Sequence, residues 1–376
     1  MIKNINIKEF LLKTISSKFG GSLIAIIIGL LFGFIVMLVA QPIDAFYGFI
    51  EMTFGGFSKL WDVLYFATPL LMTGLAVGFA FKMGLFNIGA SGQYTMGLFF
   101  ALYVGFMFEL PAGIHWMVAV LAGMIGGMLM GFIPGILKAL MNVNEVITSI
   151  MMNYIGMFLV DMWIVNNGKM YNSVITRTRY LPESVQLTSL GITDSNLNIG
   201  LFIALGIAIL LFIVMDYTTF GYELKATGYN KNASHYAGIN HKRNTILTMV
   251  IAGGLAGIGG ALFILSPSTI QGSSMTYEPI NIISTAGFTG IAVALLGDSH
   301  PIGIIFSSLF ISHLQRGGTL ANLVGFKVEI IDVVIAVIIY FSAFAMLLNH
   351  FVVKRLNKKA EVAKTAPVTN DVEVTK

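Results

Sequence analysis

Between residues 22 and 350 the chain returns repeatedly to apolar runs close to the length, about 20 residues, that a helix needs to cross a hydrocarbon core. Ten such segments are read, at 22–40, 61–81, 86–108, 115–137, 144–165, 199–215, 245–265, 280–297, 301–315 and 329–350. A chain built this way folds in lipid. It is 56% hydrophobic and only 11% charged, where soluble domains carry roughly 25% charged residues. The expectation is an all-α, polytopic membrane bundle of eight to ten transmembrane segments, at least one of them broken or re-entrant. The eighth and ninth segments decide the count, because the turn Gly297-Asp298-Ser299-His300-Pro301 joins either two full spans or two re-entrant halves.

The first run, SLIAIIIGLLFGFIVMLVA, follows Lys3, Lys8, Lys13 and Lys18. It exceeds the apolar region of a signal peptide, about 7–15 residues, and no clear small-x-small cleavage site follows. It is read as a retained span. With the N-terminus in the cytoplasm, sixteen of the 22 lysines and arginines fall on the inside. Lys59, Lys169, Arg177, Arg179, Arg316 and Lys327 fall outside. This bias sets the expected orientation, and it explains the basic balance without invoking nucleic acid. Both termini are then cytoplasmic, with a basic segment at 1–21, a membrane domain at 22–350 and a disordered tail at 351–376. Residues 166–198 form a polar outer connection and 216–243 an inner loop.

Several chemistries have no residues to support them. With no cysteine there are no disulfides or thiolate metal sites, and the six histidines show no ligand spacing. Neither a catalytic constellation nor a metal site is expected. The phosphate-binding pattern G-x-x-x-x-G-K-[ST] is missing, and the glycine-rich GGLAGIGG (253–260) lacks its lysine and reads as helix packing. Lys82, Glu145, Asp161, Asp298 and Asp332 all fall near segment ends. An ion-coupled carrier generally needs ionisable groups within the membrane, so the driving energy is expected to enter through another chain.

Gly123, Gly127, Gly131 and Gly135 recur every four residues and put four small positions on one helix face, which lets a second backbone approach closely. Shorter pairs occur at Gly29 and Gly33, Gly74 and Gly78, and Gly253 and Gly257. In the inner loop, Asn230 or Asn232 is placed to cap a short helix ended by Gly238. By pattern alone that helix lies either at the lipid headgroups or in a groove of a partner protein.

Four stretches together carry a resemblance: ATPLLMTGLAVGFAFKMGLFNIGASGQ (67–93), GFIPGILKALMNVNEVITSIMMNYI (131–155), ELKATGYNKNASHYAGIN (223–240) and GFTGIAVALLGDSHPIGIIFSSLF (287–310). They resemble permease subunits of bacterial ABC importers for nucleosides, within the wider group that imports simple sugars and branched-chain amino acids. The F-N-I-G-x-x-G-Q element carries the class, and Asn144 to Tyr154 points to the nucleoside branch. The resemblance implies residence in the bacterial cell membrane and no cofactor in this chain. It also implies an ATPase with two nucleotide-binding halves that holds ATP-Mg, a second permease subunit, and an extracellular substrate-binding lipoprotein. Residues 223–240 would then be the coupling helix, with Gly228, Asn230, Ala233, Ala237, Gly238 and Ile239 matching the family's loop. The alternatives are the same class with ribose or another sugar as cargo, and an ion-coupled secondary carrier.

The stretch GLFNIGASGQYTMG (84–97) puts polar residues and glycines between two apolar runs, which membrane depth tolerates only inside protein or beside a cavity. Asn87, Ser91 and Gln93 therefore either face a substrate path or satisfy backbone groups freed by a break. Asn144 and Glu145 read as a helix start or as path residues. Asn153 bonds either a neighbouring helix or a nucleoside hydroxyl. Phe86, Tyr94 and Phe288 are aromatic candidates for stacking on a base.

Overall fold

A computed structural model describes residues 18–192, 195–270 and 272–341. The expected tail and most of the basic N-terminal segment lie outside the described residues. The described helices are α1 (Lys18–Ala40), α2 (Ala45–Phe54), α3 (Leu60–Lys82), α4 (Ala90–Met107), α5 (His115–Met141), α6 (Glu145–Val165), α7 (Gly200–Tyr217), α8 (Thr219–Tyr229), α9 (Lys231–Tyr236), α10 (His241–Ile264), α11 (Thr285–Leu296) and α12 (Pro301–Leu323). A further helix, α13, occupies 328–341. A 3-10 turn, Gly55–Lys59, joins α2 to α3. The only described strands, β1 (Tyr171–Asn172) and β2 (Arg177–Thr178), form one antiparallel hairpin.

Five described stretches are long and apolar enough to span a bilayer: Ala45–Lys82, His115–Met141, Glu145–Val165, Gly200–Tyr217 and His241–Ile264. The chain is a multi-pass membrane protein. The α4 helix is as long as α7 but carries buried Ser91, Gln93, Tyr94 and Thr95, which lower its hydropathy. Its polar side chains face protein. At 12 residues, α11 reaches only about 18 Å at 1.5 Å per residue, too short to cross a core about 30 Å thick. The segment read at 280–297 is therefore a half-length helix, turned by residues 297–300 into α12.

Two compact units are distinguished: residues 1–49 with 325–376, and residues 50–324. In the first, Gly29 and Gly33 of α1 face Ile338 and Val334 of α13, and Phe32 stacks on Phe341 at 4.6 Å. In the second, α3, α4, α5 and α10 form the centre.

The glycine stripe of α5 lies against α10. A Cβ at Gly127 would fall on the Gly253 carbonyl oxygen and one at Gly131 on that of Met249, while Gly123 and Gly135 face Ala261 and Met249. From the other side Gly97 of α4 meets Gly257. Three backbones thus converge where no side chain fits, and van der Waals contact replaces the hydrophobic drive that lipid does not supply. Around this centre, side-chain hydroxyls bond carbonyls across helices: Ser307 donates to Val293 O and Ser312 to Val63 O, each at 2.7 Å.

The sequence reading of Arg316 as an outer-loop residue is corrected. Arg316 lies inside α12, which runs eight residues beyond the expected end at 315, and its guanidinium stacks 3.7 Å from the centroid of Phe66 on α3. The aromatic face attracts the cation, so the charge is accommodated within the helix. The connection at 41–60 also holds α2 where no helix was expected.

The connection that follows α6 packs against its neighbours. Met170, Leu181, Val185 and Leu187 are buried; the hairpin ties to the segment after α10 through Thr178 N to Tyr277 O, and Leu187 N, beyond the hairpin, donates to Leu265 O. Asp161, at the end of α6, accepts from the Tyr277 hydroxyl and the Asn281 backbone, both at 2.7 Å. Burial and then the neighbouring Asp161 carboxylate push the Tyr277 phenol well above its ordinary pKa.

Candidate functional site

The polar stretch at 84–97 breaks the path between two helices. The α3 helix ends at Lys82, Gly84 adopts φ +76°, and α4 begins only at Ala90. Between them the side chains of Asn87 and Gln93 pair reciprocally. Asn87 Nδ2 donates to Gln93 Oε1 at 2.9 Å, and Gln93 Nε2 donates to Asn87 Oδ1 at 3.1 Å. Both are buried.

Asn153 of α6 completes the break. Its Oδ1 accepts from the Gly92 backbone at 2.8 Å and its Nδ2 donates to the Ile88 carbonyl at 3.0 Å. Ile88 and Gly92 stand four residues apart, the spacing of an α-helical hydrogen bond. The carboxamide is thus inserted where the first rung of α4 would form. It satisfies two buried backbone groups that a break in lipid otherwise strands.

The structure thus brings Asn87, Gln93 and Asn153, three of the substrate-path candidates, together around one break. Their amides bond one another and the backbone. Ser91 is also buried and lies against Gly287 at the start of α11, its hydroxyl, like that of Ser149, without a protein partner. Asn144 caps α6 by accepting from Val146 N and Ile147 N, and Glu145 pairs with Lys138 at 2.8 Å. Both therefore hold the helix start, and of the six candidates Asn144 alone is exposed. Of the aromatic candidates, Phe86 lies 5.0 Å from Phe81, Tyr94 is buried, and Phe288 is exposed.

The loop that begins at 216 is built of two helices. The first, α8, was not foreseen; it buries Gly221, Leu224 and Thr227, and Glu223 accepts from Asn244 of α10 at 2.8 Å. A Cβ at Gly228 would stand 2.5 Å from the Lys82 carbonyl and 3.0 Å from Met83 C. The end of α8 therefore rests on the backbone at the start of the break.

The second is α9, where the structure selects Asn230 over Asn232 as the cap. The Asn230 side chain accepts from Asn232 N and Ala233 N, both at 3.0 Å. The helix closes through Gly238 N to His235 O and Ile239 N to Ser234 O, with Gly238 at φ +82°, a conformation open to glycine. Ala233, Ala237 and Gly238 are exposed, and Tyr229 and Tyr236 are each 91% exposed. The fold thus caps α9 at both ends and leaves its small-residue surface bare.

Beside α8, a cleft of about 380 Å³ is lined by residues including Lys82, Asp216, Lys225 and His300. Lys225 bonds Asp216 at 2.6 Å, and Lys82 Nζ donates to Asp298 O at 3.0 Å. The 297–300 turn and the ends of α3 and α7 accordingly meet on the side of the protein that carries α8. Among the described residues no group of acidic, histidine or cysteine side chains is arranged to hold a metal.

The family described as the permease component of branched-chain amino acid transport systems matches residues 60–343. The guanosine ABC transporter permease protein NupP of Bacillus subtilis (strain 168) is 37% identical over 90% of this chain and 96% of its own length. The nucleoside ABC transporter permease protein NupB of Lactococcus lactis subsp. cremoris (strain MG1363) is 37% identical over 92% and 95%. A glucose ABC transporter permease protein of Haloferax volcanii is 28% identical over 82% of each chain. No solved structure matches.

Proposed function

We propose that this chain, which belongs to the permease family of branched-chain amino acid transport systems, is a transport subunit of an ATP-binding-cassette importer for nucleosides. The observation that carries the cargo is the end-to-end likeness, 37% over about nine-tenths of the chain, to two permeases named for guanosine and for nucleosides. The glucose permease stands further off at 28%.

In this reading ATP-Mg is bound and hydrolysed by a separate ATPase, and α9 is where that ATPase docks. Support comes from the cap at Asn230, the left-handed Gly238 and the bare Ala233–Ala237 surface, which together make a rigid knob. A push on α9 passes to α8 and, through Gly228, to the Lys82–Met83 backbone where the break begins. The Asn153 carboxamide links that break to α6. The path would thereby switch between outward-open and inward-open arrangements as rigid helices rock about a break. A second permease subunit would form the other half of the path, and an extracellular binding lipoprotein would deliver the nucleoside. The 216–243 loop would face the cytoplasm.

Deletion of the gene tests the cargo. Cells are assayed for uptake of labelled guanosine, uridine and glucose with and without a plasmid copy. Restored nucleoside uptake supports the reading; restored glucose uptake alone overturns it.

A further inference from the structure

A cleft of about 880 Å³ in the 50–324 unit plays no part in the reading above. It lies between the far ends of α4 and α6 and is lined by residues including Phe99, Tyr103 and Met107 of α4, Trp163 of α6, and Asn166 and Lys169 beyond it. We propose that this cleft is a binding site for an anionic phospholipid.

The walls are apolar and aromatic: the Phe99 and Trp163 rings lie 5.1 Å apart and those of Phe99 and Tyr103 6.1 Å apart. Tyr103 and Trp163 are 44% and 39% exposed. From Phe99 to Met107 the α4 wall runs about 12 Å at 1.5 Å per residue, most of the depth of one leaflet in a core about 30 Å thick. The polar groups gather at one end. Asn166 follows α6 directly, and Lys169 is exposed three residues on.

Among the described residues no carboxylate pairs with Lys169, and no acidic residue lines the cleft. An apolar slot of leaflet depth with one unpaired cation at its mouth matches an amphiphile with an anionic head. Tryptophan and tyrosine near the membrane boundary favour the same placement, and a lysine at a membrane surface attracts an anionic headgroup by Coulomb interaction. A nucleoside fits less well, because its base and ribose need polar partners around the ring, whereas here the asparagines and the lysine gather at one end and the rest of the wall is mainly aromatic and apolar. The cleft's volume lies in the range that holds small ligands, about 300–1,000 Å³.

Native mass spectrometry of the purified full-length transporter tests the proposal, with phosphatidylglycerol or phosphatidylcholine added at equal concentration. The site predicts one retained phosphatidylglycerol per copy, favoured about fivefold over phosphatidylcholine, the preference that one lysine near a charged surface supplies. Lys169→Glu and Lys169→Gln abolish the preference, whereas Lys59→Gln leaves it intact. Both Lys169 and Lys59 are exposed, so folding is preserved, which an unchanged melting temperature verifies. Trp163→Ala lowers retention of both lipids. Equal retention of the two lipids by the wild type overturns the proposal, as does a preference that survives Lys169→Glu. So does displacement of the lipid by guanosine or by the partner permease, which would show another occupant.

Discussion

Replacing Asn153 with alanine removes a side chain that serves two buried backbone groups at once. Gly92 N–H loses its acceptor at 2.8 Å and Ile88 C=O its donor at 3.0 Å. Stranding a buried polar group costs about 1–3 kcal/mol, whereas cross-helix hydrogen bonds in membranes average about 0.6 kcal/mol with a maximum near 1.7. Two bonds therefore contribute between about 1 and 6 kcal/mol. Gly92 also packs closely against the Asn153 backbone, so the break cannot simply close onto itself, and a loss of about 2–3 kcal/mol is expected. At about 2.1 cal/mol/K per residue a chain of 376 residues shifts by about 1.3 °C per kcal/mol, so the melting temperature of the purified protein in detergent falls by about 2.5–4 °C. Asn153→Asp keeps the acceptor and loses the donor, so it destabilises as well. Asn144→Ala removes an exposed cap worth about 1 kcal/mol and shifts the melting temperature less. An Asn153→Ala protein that melts within a degree of wild type refutes the account of the break.

Gly127→Leu drives a side chain into the Gly253 carbonyl, and such overpacking typically costs 1–3 kcal/mol or more; expression and melting temperature fall, while Gly206→Ala, with open space around it, changes neither. Gly228→Val forces α8 away from Lys82 and Met83; the subunit still inserts and co-purifies with the ATPase, but nucleoside-stimulated ATP hydrolysis drops several-fold. Asp161→Asn exchanges a carboxylate that accepts from Tyr277 and Asn281 for an amide with one acceptor oxygen, and losing a charged hydrogen bond costs about 1.5–3 kcal/mol; a thermal shift checks it, and wild-type melting would contradict it.

Much of the architecture is written in one-dimensional signals. Each of the five long apolar stretches overlaps an apolar run read from the sequence, although the α2 part of Ala45–Lys82 was not foreseen, and the four-residue glycine period sits where three backbones meet. Other features depend on pairings that no local pattern encodes. Asn153 lies 65 residues from Ile88 in the chain, so the sequence shows an amide in an apolar helix but not the backbone groups it serves. Arg316 ended a segment by its charge, because its platform, Phe66, is 250 positions away. The α8 helix was read as part of a loop because its buried face, Gly221, Leu224 and Thr227, is small and short. The late start of α11 follows Asn281 at φ +58°, a left-handed residue that stops a helix and that apolar composition does not report. The capped α9 was legible because caps and left-handed glycines are local chemistry.

Uptake of labelled guanosine and uridine, with and without this gene and with the proton gradient collapsed while ATP is maintained, tests the central claim most directly. Gene-dependent uptake that continues after collapse is the predicted result. Uptake that disappears with the gradient would contradict an ATP-driven importer and identify a secondary carrier instead.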